Sequence, residues 1–102
     1  MGMKIILEGE RGDQRKKIVD ANRLLLGLIK EGNAVNTCCL RFIDPYGNTV
    51  FNRPQMPQLL LELEKLHQFA NRPDQSALLA QIEELVQLCT EEPHLYLKFY
   101  GD

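Results

Sequence analysis

Three thiols, two imidazoles and one serine hydroxyl are the groups in this chain most suited to metal binding or nucleophilic chemistry: Cys38, Cys39, Cys89, His67, His94 and Ser76. Cys38 and Cys39 are neighbours, so on a strand they would point to opposite faces and could not share one metal ion. No CxxC or HxxxH spacing joins any of these residues to a second donor, and zinc sites usually show such pairs. Cys89 falls on the apolar stripe of a helical segment, where a thiol packs as a small hydrophobe. Ser76 follows Asp74 at a helix start, where capping accounts for it. The histidines lie in no recognisable motif, and neither Gly-x-Ser-x-Gly nor HExxH occurs. Glu83-Glu84 and Glu91-Glu92 are adjacent pairs, which read as a solvated helix face and its tail. The chemistry-bearing residues therefore point away from catalysis, and no metal or cofactor is expected.

A second possibility is anion binding. The segment GERGDQRKK places Arg11, Arg15, Lys16 and Lys17 around two glycines, close to an expected helix N-terminus. Such a terminus attracts anions through its free N–H groups and dipole. The segment is not GxxxxGK[ST], however, and Glu8, Glu10 and Asp13 would repel a phosphate.

The elements that must position these groups follow from hydrophobic spacing. MKIILE, residues 3–8, alternates as a strand, with Met3, Ile5 and Leu7 on one face and Lys4, Ile6 and Glu8 on the other. After a polar loop, residues 14–31 carry a helical stripe of Ile18, Ala21, Leu25, Leu28 and Ile29. Asp13 would cap this helix, and Gly32 and Asn33 would stop it.

CCLRFIDPYGNTVFN, residues 38–52, then reads as a hairpin turning through Asp44-Pro45-Tyr46-Gly47, with Gly47 supplying a left-handed conformation. Its charge-free face, Cys38, Leu40, Phe42 and Val50, is assigned to the core. Cys39, Arg41, Ile43, Thr49 and Phe51 are assigned outward. Helices are expected over 57–70 and 75–90, separated by Asn71-Arg72-Pro73-Asp74. HLYLKFY, residues 94–100, closes as a strand with Leu95, Leu97 and Phe99 opposite Tyr96, Lys98 and Tyr100.

The resulting order, β-α-β-β-α-α-β, predicts one α+β domain over residues 1–102. It has two layers, a four-stranded, mainly antiparallel sheet and three helices. In element order it resembles the split βαβ pattern of ferredoxin-like domains with the second helix doubled. That resemblance implies a fold and no activity.

A chain of 102 residues, 44% hydrophobic and 25% charged, fits one soluble globular domain. No apolar run approaches the roughly 20 residues of a membrane span. The start MGMKIILEGE lacks a signal-peptide layout, and an odd number of cysteines without framework spacing fits reduced thiols, so a cytoplasmic location is expected. Charge is uneven along the chain. Residues 1–53 hold nine Lys or Arg against six Asp or Glu, and residues 54–102 hold three against eight.

If helices cover one face of the sheet, the other presents Arg41, Phe51, Tyr96, Lys98 and Tyr100, with Tyr46 at the turn tip. Aromatic and arginine side chains of this kind typify contact surfaces. The expectation is a small interaction module that binds a protein partner or itself as a homodimer. In size and acidity it is similar to bacterial toxin-neutralising immunity proteins, which implies a partner touching Glu83 and Glu84. A nucleic-acid or phosphate binder using the basic N-terminal half is the alternative, and a small enzyme with an unrecognised site is a third. The acidic net charge and the absence of an RNA-recognition aromatic motif place nucleic acid behind protein.

Overall fold

The computed structural model describes residues 2–32 and 37–101. The first strand, β1 (Met3–Gly9), is followed immediately by a second, β2 (Gln14–Asp20), and only then by helix α1 (Leu24–Glu31). Next come β3 (Asn48–Asn52), α2 (Met56–Leu66), α3 (Pro73–Glu91) and β4 (Leu95–Tyr100). The sheet order is β2-β1-β4-β3, and every neighbouring pair is antiparallel. This is a two-layer α+β fold with a four-stranded sheet and three helices, as the spacing predicts.

The order of elements differs from the prediction, and so does the ferredoxin-like resemblance that rested on it. A split βαβ unit needs a helical crossover after the first strand, whereas here β1 and β2 form a hairpin. The turn is built into GERGD. The Gly12 N–H donates to the Gly9 carbonyl at 3.0 Å, the Gly9 N–H donates to the Asp13 carbonyl at 2.8 Å, and Gly12 has φ +83°. Glycine takes that angle at no steric cost. Gly12, not Gly47, is thus the left-handed turn glycine among the described residues.

Helix α1 starts ten residues later than predicted because its cap is Asp20, not Asp13. The Asp20 carboxylate accepts the Leu24 and Leu25 N–H groups at 2.9 Å each. Gly32 follows the helix at φ −74°, its N–H donating to the Leu28 carbonyl at 2.9 Å. Asn33, the other expected stop, lies outside the described residues.

The first arm of the predicted hairpin is also corrected. Leu40–Phe42 form a 3-10 turn rather than a strand, closed by the Phe42 N–H to Cys39 and the Ile43 N–H to Leu40. The reason lies on α2. Glu62, 2% exposed, accepts the Cys38 N–H at 2.8 Å, the Cys39 N–H at 3.1 Å and the Leu40 N–H at 2.9 Å, together with the Gln58 side-chain amide at 2.7 Å. Donors that a sheet ladder would have used are gathered instead on a buried carboxylate. Burial alone would raise the Glu62 pKa. The N–H groups of Leu40, Cys38 and Cys39 and the Gln58 amide outweigh burial and hold it below its usual range. The adjacent Cys39 thiol is pushed up to about 11 by burial and by the Glu62 charge.

The core lies between the helices and one face of the sheet. It joins Met3, Ile5, Leu7, Leu95, Leu97 and Phe99 to Leu25, Leu28, Leu59, Leu63, Leu79, Ile82 and Val86. Phe51 belongs to it too, packed edge-on to Phe99 with centroids 5.7 Å apart and planes at 81°. On the two faces predicted for residues 38–52, Leu40 is buried and Arg41 exposed as assigned, but Cys38, Cys39, Phe42, Ile43, Val50 and Phe51 are exchanged. Cys39, Ile43 and Phe51 are buried, while Phe42 and Val50 are exposed and Cys38 faces solvent. In β3 a one-residue slip in strand phase exchanges Val50 with Phe51, whereas in the first arm burial follows the 3-10 turn and no strand phase applies.

Candidate interaction surface

Strand register fixes which side chains share the sheet face opposite the core. Lys4 stands opposite Val19 and Tyr100, Ile6 opposite Lys17 and Lys98, and Glu8 opposite Gln14 and Tyr96. On the far side, Asn48, Val50 and Asn52 stand opposite Tyr100, Lys98 and Tyr96. Directly opposed residues point the same way, so these form one surface of three rows across four strands. None of them belongs to the hydrophobic core cluster.

Glu8 organises the middle of this surface. The residue is 6% exposed. Its carboxylate is 2.8 Å from the Lys98 ammonium and accepts the Tyr100 hydroxyl at 2.6 Å. Tyr100 reaches Glu8 along the strand direction, because its own cross-strand partner is Lys4. Burial pushes the Glu8 pKa up, but the Lys98 and Tyr100 bonds prevail and hold it below its ordinary value. The same bonds raise Lys98 and Tyr100 above theirs. The cluster is a locked polar centre with its charge already matched.

Around it the surface is amphipathic. Val19 and Val50 are 58% and 49% exposed, and Tyr96 and Tyr100 are half-buried. Lys4 and Lys17 are exposed and form no ion pair among the described residues. A concavity of about 640 Å³ opens at one end, between Lys4, Ile6, Val19, Ala21, Tyr100 and Gly101.

The structure places Tyr96, Lys98 and Tyr100 together on this face, and it places Phe51 in the core and Glu83 and Glu84 on α3. Phe51 is core and cannot contribute a contact. Arg41 sits on the 3-10 turn with its guanidinium 4.7 Å from the Phe42 ring centroid. Tyr46 is 77% exposed at the tip of the 44–47 turn, with the Arg23 guanidinium 5.7 Å from its ring centroid. Glu83 is engaged by His67 at 2.9 Å and Glu84 by Lys16 at 3.6 Å.

The predicted anion site loses its scaffold, because residues 14–20 are a strand and provide no helix N-terminus. Arg11 is exposed in the hairpin turn. Arg15 bonds Asp13 at 2.8 Å and approaches Glu92 at 3.4 Å, while Lys16 faces Glu84. Ser76 and the histidines do not converge. Ser76 lies in the first turn of α3, His67 pairs with Glu83, and His94 lies 3.6 Å from Glu10. Cys38 is exposed, while Cys39 and Cys89 are buried. Among the described residues no three His, Cys, Asp or Glu side chains gather as metal donors.

Sequence reasoning missed Lys4, Lys17, Val19 and Val50 as surface residues and Glu8 as the centre of the cluster. The signal for Glu8 was present, because it shares strand parity with Lys4 and Ile6. The β2 residues were hidden by their assignment to a helix. Comparisons with protein-family models, with curated proteins and with solved structures find no match for this chain.

Proposed function

We propose that the protein is a non-catalytic interaction module that engages a protein partner through the helix-free face of its sheet. The observation that carries this reading is the composition of that face. Half-exposed tyrosines and two exposed valines surround a polar cluster that is already rigid, so binding would cost little side-chain ordering there. Tyrosine is among the residues enriched at contact hot spots.

A second copy of the chain fits less well. An isologous dimer through this face would bring Lys4 and Lys17 of both copies together with no free carboxylate to match them, because the one carboxylate of the face among the described residues, Glu8, is already paired with Lys98.

The test is capture from the native host with the tagged full chain, comparing wild type with Val50→Asp and Tyr96→Asp. A control variant, Leu61→Asp, alters an exposed leucine on α2. The expected result is a stoichiometric protein partner retained by wild type and Leu61→Asp and lost from both face variants, all four showing the same circular dichroism. A partner kept by both face variants, or the absence of any stoichiometric partner, would refute the proposal. A doubled mass for the purified chain that the face variants abolish would replace it with self-association.

A further inference from the structure

We infer that the partner contributes an extended acidic segment, with carboxylates two residues apart, which lies over the β1–β2 side of the helix-free face. This rests on the reading of that face as a contact surface. Two lysines of this face carry charge that no ion pair among the described residues matches. The chain carries Arg15 and Lys16 on β2, and both are faced by glutamates of the α3 end, Glu92 and Glu84. Lys98 is matched by Glu8. Lys4 and Lys17 remain exposed without an ion pair among the described residues, side by side with Val19 and Ile6.

Their spacing specifies the ligand. Lys4 is opposite Val19 and Lys17 is opposite Ile6, so the two lysines are diagonal neighbours on adjacent strands. Diagonal pairs of this kind stand about 7–8 Å apart. An extended chain repeats its same-face side chains every roughly 6.6 Å. Acidic residues at positions i and i+2 of an extended segment therefore match both lysines at once, and the segment backbone covers the exposed Val19.

β2 is also an edge strand, paired only with β1. Its basic residues repel a second β2 strand.

Single-stranded nucleic acid is the competing polyanion, since bases stack on sheet tyrosines. It fits less well, because Tyr96 and Tyr100 are half-buried and the Tyr100 hydroxyl is held by Glu8, which leaves no fully exposed ring among the described residues of the face for a base to stack on.

The experiment titrates the isotope-labelled full chain, followed by amide NMR, with three probes. These are a peptide of alternating Glu and Ser, a peptide of alternating Lys and Ser, and oligouridylate. The expected result is saturable binding of the acidic peptide, with shifts centred on Lys4, Ile6, Lys17 and Val19. Lys4→Gln combined with Lys17→Gln should weaken that binding roughly tenfold, the sum of two modest exposed ion pairs. Both substitutions are at exposed positions, so the variant keeps its fold, which its own amide spectrum reports.

The inference is overturned if the double variant binds the acidic peptide as wild type does, if the lysine peptide binds equally, or if no peptide shifts the face. Tighter binding of oligouridylate at the same residues overturns it in favour of nucleic acid. These failures are separable from failure of the proposed function. Loss of the native partner from Val50→Asp without any acidic-peptide binding leaves the contact face standing and removes only the acidic segment.

Discussion

Replacing Glu62 by Gln should destabilise the protein far more than an isosteric change elsewhere. Each carboxylate oxygen accepts two N–H groups. Oε1 takes those of Cys39 and Leu40, and Oε2 takes those of Cys38 and the Gln58 side chain. An amide has one oxygen, so either orientation places an NH₂ against two donors. The better orientation keeps Cys39 and Leu40 satisfied and strands the Cys38 N–H, while Gln58 can turn to water. A buried donor left unmade costs about 1–3 kcal/mol, and the surviving bonds lose their charge assistance. The sum is roughly 2–4 kcal/mol, against a total stability of about 5–15 kcal/mol for a domain. At this size, that lowers Tm by roughly 10–25 °C.

The assay is urea and thermal unfolding of wild type and Glu62→Gln, followed by circular dichroism. The pH dependence has a definite sign. The folded-state pKa of Glu62 is lowered from 4.5, so its contribution is fully present above that value and is lost as pH falls through the folded pKa. The gap between wild type and variant should therefore be largest near neutrality and shrink in acid. A gap below about 0.5 kcal/mol at neutral pH, or one that does not change with pH, would refute this account of the 38–42 segment.

Three further outcomes are expected. Phe51→Ala should cost about 3–5 kcal/mol and Val50→Ala well under 1 kcal/mol in the same unfolding assay, because Phe51 is sealed against Phe99 while Val50 faces solvent; equal costs would contradict the register of β3. A disulfide reagent should label Cys38 quickly, and Cys39 and Cys89 only as the protein opens, since Cys38 alone of the three is exposed; fast labelling that survives Cys38→Ser would refute this. His94→Gly should stabilise by about 0.5–1 kcal/mol, because His94 holds φ 65° between α3 and β4 and loses only an exposed contact to Glu10; a lower melting temperature would show that His94 makes a further stabilising contact.

The parts of the fold that could be read from sequence are those whose faces are written locally. In Leu95–Tyr100 every second residue is buried, and in β1 Met3, Ile5 and Leu7 mark the core face. The parts that could not be read depend on partners distant in sequence. QRKKIVD carries only one adjacent apolar pair, Ile18-Val19, which serves a helical stripe through Ala21 and Leu25 as well as it serves a strand. Its state is decided by the open edge of β1 and by the left-handed Gly12 that returns the chain to it. The strand-forming run from Cys38 to Ile43 was misread for a similar reason. Its N–H groups are claimed by Glu62, 22 to 24 residues away, and one buried carboxylate outweighs local strand propensity.

The same distinction governs the surface. Along the sequence the basic half and the acidic half look like two poles. In space the β1–β2 hairpin lies against the C-terminal part of α3, and Arg15 and Lys16 face Glu92 and Glu84. Folding thus sets two bases of the first half against two acids of the second. What survives is set by strand parity: Lys17, one residue after Lys16, faces away from α3 and joins Lys4 on the open side of the sheet. A charge count alone cannot separate Lys16 from Lys17. Register does, and it adds Lys4 and Lys17 to the helix-free sheet face that the sequence alone predicts without them.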